Sequence, residues 1–262
     1  MDEFEQELTK QMVEQTAGNA YTDLVQPTAK SLGTILNFIP GIIAAYLTKC
    51  QDWLINGTKS IELTAQAVQE KIQNIPEEKL TEPEANIAIP AIQQLSYCYD
   101  CEELRNMYAN LLVASMNTDT KSSAHPAFVD IIKQLSPDEA KILKKLIYQP
   151  PISYPLLDVN FSLNEEGGIL PLIKNFSDLA YGDCEYPNHI AAYLENLNRL
   201  GIIEISSTQW LTDNSLYEKL QNHPAVQKAI EDSKINGAKI NFGKKIFSVT
   251  NFGVSFMKSC VS

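Results

Sequence analysis

Three groups of side chains in this sequence have the types and spacing that chemistry uses: a cysteine pair, two carboxylate pairs and three histidines. Cys98 and Cys101 make a Cys-x-x-Cys, the spacing of structural zinc sites and of thiol–disulfide exchange. Zinc takes four ligands, yet His125 is the nearest histidine and no second pair follows at finger spacing. A redox pair is expected to open a helix in a βαβ unit, a pattern absent around these cysteines. They read as thiols at a turn between helices, with no metal assigned. Glu102-Glu103 with Arg105, and Asp138-Glu139 with Lys141, hold the donors of a metal-dependent nuclease cluster. Both pairs also fall in the first turn of a helix, where carboxylates complement the dipole, and capping is the preferred reading. His125 and His223 each precede a proline at a helix entry, and His189 stands apart, so all three read as structural. Gly167-Gly168 follow Glu165-Glu166, the wrong charge for cradling phosphate. No nucleophile elbow, Walker loop or dinucleotide fingerprint appears. The expectation is a non-enzymatic protein with no cofactor and no metal.

The elements that position these residues are most sharply drawn between Ser96 and Leu143. Leu104, Met107, Tyr108, Leu111 and Leu112 recur at spacings of three and four, which predicts a helix from about Glu102. A second helix opens at Pro126, with Phe128, Ile131, Ile132 and Leu135 on one stripe. The third has Ser136 as N-cap, Pro137 at the first helical position and Asp138-Glu139 in the first turn.

The same block resembles a family. Glu103-Leu104-Arg105, Tyr108-Ala109-Asn110-Leu111-Leu112, Ser115-Met116, His125-Pro126-Ala127-Phe128-Val129 and the run Gln134 to Leu143 are similar to the core of the abortive infection alpha proteins of bacteria. Ile89-Pro90-Ala91 upstream and Leu197 to Ile203 downstream extend the likeness. The resemblance implies a role in phage defence and implies no catalytic residue.

The formal net charge is −11, unevenly spread: residues 1–135 hold 9 Lys+Arg against 18 Asp+Glu, and residues 136–262 hold 12 against 14. An acidic protein is a poor prior for non-specific nucleic-acid binding. Five cysteines, an odd number, and an acidic start at Asp2-Glu3 suggest reduced thiols in the cytoplasm, with the inner-membrane surface as the peripheral alternative.

The most apolar stretch is Leu32–Leu47, broken by Pro40-Gly41 and too short to span a bilayer, which needs about 20 apolar residues. Ile35, Phe38, Ile39, Ile42 and Ile43 are its candidate contacts with a membrane or partner, or else a buried helical turn. Beyond it, Tyr46, Cys50, Trp53, Gly57, Ile61, Thr64, Val68, Ile72 and Ile75 recur at about 3.6 residues per step, which predicts one long amphipathic helix to Ile75 and a face for self-association.

After Gln149-Pro150-Pro151 the texture changes. The expected elements are a helix His189–Leu200 closed by Gly201, a strand Ile202–Ile205, a helix broken at His223-Pro224, a hairpin Ala238–Val249 turning at Gly243-Lys244, and a last helix capped by Thr250. This order resembles a winged helix-turn-helix, for which Arg199, Lys239, Lys244 and Lys245 are the candidate nucleic-acid contacts. The predicted fold is mostly α: a helical domain 1–150 with one long helix, and an α+β winged-helix-like domain 151–262. The favoured function is phage defence through a protein or phage-component partner, or through membrane engagement by the apolar hairpin. A DNA-binding regulator is the alternative, and a hydrolytic effector ranks third.

Overall fold

A computed structural model describes residues 51–95, 97–98, 101–148, 153–162, 168–233 and 238–261. The chain divides into two compact units, residues 1–134 and 135–262. The apolar 32–47 segment, with Ile35, Phe38, Ile39, Ile42 and Ile43, lies outside the described residues.

The described residues of the first unit form the helices α1 (Gln51–Ile72), α2 (Ala85–Leu95), α3 (Glu102–Met116) and α4 (Ala127–Lys133). The predicted long helix ends at Ile72, followed by turns closed by the Asn74 and Ile75 amides. Its buried stripe, Ser60, Thr64 and Val68, steps by four. Two of those residues are polar and each is satisfied: Ser60 Oγ donates to the Leu95 carbonyl of α2, and Thr64 Oγ1 to the Ser60 carbonyl at 2.8 Å. Of the α3 stripe, Met107, Tyr108, Leu111 and Leu112 are buried as their spacing predicts while Leu104 is half-buried, and Tyr108 donates its hydroxyl to the Val129 carbonyl of α4 at 3.2 Å. His125 is a cap, its Nδ1 accepting the Ala127 N–H at 3.1 Å.

The second unit is α+β. Its elements are α5 (Pro137–Tyr148), β1 (Ser153–Ser162), β2 (Ile169–Phe176), α6 (Ile190–Arg199), β3 (Ile203–Ser206), α7 (Asn214–Gln221), α8 (Pro224–Asp232), β4 (Lys239–Val249) and α9 (Asn251–Cys260). The division after Gln134 places α5 here, although its sequence continues the helical block before it. Four antiparallel strands run in the order β2-β1-β4-β3.

The hairpin expected over Ala238–Val249 is absent. Lys239–Val249 is one strand, with Gly243 opposite Asp158 and Lys244 opposite Leu157. The reason is the partner: β1 offers a full-length register from Ser153↔Ser248 to Ser162↔Lys239, longer than two short arms could give each other. Gly243 serves close approach instead of a turn, since a Cβ there would stand 3.2 Å from Asp158 Cβ. The sheet's hairpin is β1–β2, from Leu157↔Phe176 to Ser162↔Ile169.

Strand alternation assigns the faces. Tyr154, Leu156 and Asp158 share one face with Phe247, Lys245 and Gly243, and the Tyr154 hydroxyl donates to the Leu146 carbonyl of α5 at 3.3 Å. Leu157 and Lys244 share the other, where Tyr217 of α7 donates to the Lys245 carbonyl at 3.0 Å. Gly201, at φ 74°, closes α6 with the Ile202 N–H bonded to the Leu197 carbonyl. The break at His223-Pro224 and the Thr250 cap form as expected, with His223 Nδ1 accepting from Ala225 N–H at 3.2 Å and Thr250 Oγ1 from Gly253 N–H at 2.8 Å.

Candidate functional site

The polar centre of the second unit grows from the α5 N-terminus. Ser136 and Glu139 form a capping box: Glu139 Oε2 accepts the Ser136 N–H at 2.6 Å, and the Glu139 N–H donates to Ser136 Oγ at 3.3 Å. The other carboxylate oxygen accepts from Asn196 Nδ2 of α6 at 2.7 Å. Glu139 therefore caps its own helix, as its position predicts, and also ties down a second one.

Asp138 does something the capping reading misses. Its carboxylate turns to a distant segment, accepting the Glu185 N–H at 2.8 Å, the Tyr186 N–H at 2.9 Å and the Tyr193 hydroxyl at 3.1 Å, with Lys141 Nζ at 3.2 Å. Both carboxylates are 3% exposed. Burial pushes the Asp138 carboxyl up, but the Tyr186 and Glu185 amides, Lys141 and Tyr193 outweigh it and hold the group below its usual value. The same geometry drives the Tyr193 hydroxyl to about 12, through burial and its bond to Asp138. Cys184 is raised to about 11 by burial and by the Asp138 charge, with Lys141 opposing and Asp183 adding to it.

The segment between β2 and α6 is strapped down at further points: Asp178 pairs with Lys219 of α7 at 2.6 Å and Asp183 with Lys145 of α5 at 3.2 Å. Asn175 (φ 54°) and Ala180 (φ 57°) hold the left-handed conformation that side chains disfavour. Asn175 is also the hub of a second polar cluster. Its N–H donates to Asp158 Oδ1 at 2.8 Å, its Nδ2 to Glu195 Oε1 at 3.0 Å, and its Oδ1 accepts from Lys245 Nζ at 2.6 Å. Lys245 and Asp158 pair at 3.2 Å, both largely buried. Helix α6 thus joins both clusters, through Tyr193 and Asn196 on one side and Glu195 on the other.

The four candidate nucleic-acid contacts are dispersed. Arg199 donates to Asn196 Oδ1 at 2.7 Å, and Lys244 donates to Asn214 Oδ1 at 2.7 Å with its ammonium over the Tyr217 ring. Lys245 belongs to the Asp158 cluster, and Lys239 is exposed at the start of β4, about 20 Å along the strand from Lys245 at roughly 3.3 Å per residue. Lys244 and Lys245 point to opposite faces. Asn198, also on α6, accepts the Ile205 N–H at 3.0 Å.

Cys98 and Cys101 are buried thiols at the α2–α3 turn, and Glu102 and Glu103 stand in the first turn of α3. Among the described residues, no three His, Cys, Asp or Glu side chains gather as a metal-ligand set, and no helix is long and apolar enough to cross a membrane. Sequence reasoning passed over Asp158, Asn175 and Tyr193, and weighed Asn196 only as a polar residue of a recognition helix, not as the partner of Glu139. Asp158 did have a signal: a lone carboxylate inside the apolar run Leu156-Leu157-Asp158-Val159 needs a buried partner.

No curated protein matches this chain. An uncharacterized protein from the hydrocarbon-degrading marine bacterium Alcanivorax borkumensis SK2 is similar at 18% identity, over 53% of this chain and 92% of its own, with a TM-score of 0.33. The family model described as abortive infection alpha matches residues 57–260, which take in the helical block, the capping box and both polar clusters. The chain belongs to the abortive infection alpha family.

Proposed function

We propose that this protein acts in phage defence without catalysing a reaction, by engaging a protein partner or a phage component. The family match over residues 57–260 carries this reading. The engagement of the acidic groups supports its non-enzymatic part: Asp138, Glu139, Asp158 and Glu195 all accept hydrogen bonds that join one element to another. The regulator alternative draws no comparable support, because Asn196, Asn198, Arg199 and Lys245 are committed to internal bonds.

The membrane mode of action rests on the apolar density of Leu32–Leu47, where about 25 cal/mol per Å² of apolar area is available to lipid. Phage plating on a host with and without the protein, read together with membrane potential, tests both modes. A drop in plaque number with potential intact fits partner engagement, and a drop with collapse of potential fits membrane action. Unchanged plaque number across a panel of phages sinks the defence reading. Ile39→Asp separates the modes further. A folded variant that loses vesicle binding and protection marks a membrane element, whereas loss of fold marks a core segment, as an unpaired buried charge requires. A folded and fully protective variant discards the membrane mode.

A further inference from the structure

We propose that Cys98 and Cys101 form a reversible disulfide, which makes the turn between α2 and α3 a thiol-oxidation site. The Cys101 N–H donates to the Cys98 carbonyl at 3.2 Å, which brings the two cysteines close together. Residues joined by such an i to i+3 bond have Cα atoms within about 7 Å, which overlaps the roughly 4.4–6.8 Å that a disulfide bridges. Both cysteines carry thiols, and they are 7% and 8% exposed.

The helices on either side fix both positions. Cys98 follows the last turn of α2, its N–H bonded to the Leu95 carbonyl, and Arg105 Nη1 of α3 donates to the Cys98 carbonyl at 2.9 Å. Cys101 is the N-cap residue of α3, and its thiol donates to the Glu103 carboxylate at 3.8 Å. Sequence alone sets the pair aside for want of a βαβ unit, but disulfide formation requires only the turn. So short a loop removes little chain entropy from the unfolded state, so what favours the bond in the native chain is the way the flanking helices hold the two positions together.

The oxidant class is a small-molecule disulfide such as glutathione disulfide. Cys101 thiolate attacks one sulfur of the oxidant, forming a mixed disulfide and releasing one glutathione thiolate. Cys98, losing its proton to solvent, attacks the Cys101 sulfur and expels the second glutathione. Two protein thiols and one oxidised glutathione thus become one protein disulfide and two reduced glutathiones. The remaining described cysteines, Cys184 and Cys260, both belong to the second unit, and Cys260 is fully buried.

The test equilibrates the full chain in glutathione redox buffers, native and in urea, followed by alkylation and peptide mapping. The expected result is a Cys98–Cys101 peptide lighter by two hydrogens and protected from alkylation. Dithiothreitol reverses this, and the oxidation midpoint of the native chain shifts toward less oxidising buffer than that of the unfolded chain. Cys98→Ser should leave Cys101 as a mixed glutathione disulfide. A midpoint equal to, or more oxidising than, that of the unfolded chain overturns the proposal, as does bridging to Cys50, Cys184 or Cys260.

Discussion

Asp138 shows how a single side chain departs from its local role. A carboxylate at the second position of a helix usually answers its own helix, but here it accepts the amides of Glu185 and Tyr186 from a segment nearly fifty residues away. Asp138→Asn puts an amide NH₂ among hydrogen-bond donors and should lower unfolding free energy in urea by about 2–4 kcal/mol. The pH dependence has a definite sign. Because the folded carboxyl lies below its usual 3.8, its contribution is complete above that value and drains away as pH falls through the lower folded value. The wild type should therefore lose stability more steeply in acid than Asp138→Asn, as paired urea midpoints across that window would show. Tyr193 acts at the opposite extreme. Its hydroxyl, near 12 against an ordinary 10.0, holds its proton more tightly when folded, so stability falls as pH rises between those values. Tyr193→Phe should remove that alkaline loss, and tyrosinate absorbance should show one late-ionising phenol fewer.

At the scale of elements, the first turn of α9 is seated against the Ile202 backbone. A Cβ on Gly253 would lie 2.0 Å from the Ile202 carbonyl oxygen, on the strand side of the Thr250 cap. Gly253→Ala must displace that helix and should cost about 3 kcal/mol or more, read as a fall in thermal midpoint. Gly182→Ala, with nothing within 4 Å of the added carbon, should be neutral or stabilising by about 0.4–1 kcal/mol, since it only narrows the unfolded ensemble. The Thr-x-x-Gly-x-x-Phe spacing was legible as a capped helix, but the reason for glycine was not, because Ile202 approaches from just over fifty residues away. The same limit explains β4. Its composition reads as two β-patterned runs around Gly243-Lys244, and only the presence of β1 alongside makes them one strand.

At the scale of the whole molecule, the second unit begins at Leu135, so it includes α5 and the Asp138 clamp. A fragment from Leu135 to the C-terminus should unfold in a single cooperative transition by circular dichroism. A fragment starting at Pro151 should show no such transition, because Tyr186, Tyr193 and Asn196 lose their buried acceptors. Equal cooperativity in the two fragments would show that α5 is dispensable to the fold.

Helix starts, stops and stripes were determined by the sequence alone, because their causes lie within one or two turns: Ser136 with Glu139, His125 before Pro126, Gly201 after Leu200, and the spacing of Met107 to Leu112. Family membership was legible for the same reason, since its motifs are contiguous. Tertiary structure alone decided the partners. Strand pairing, the destination of the Asp138 carboxylate, and the meeting of Asp158, Asn175, Glu195 and Lys245 all join residues tens of positions apart. No local propensity encodes which distant amide a buried charge will find. That choice is made when the sheet and α6 close together and each buried polar group must be satisfied at once.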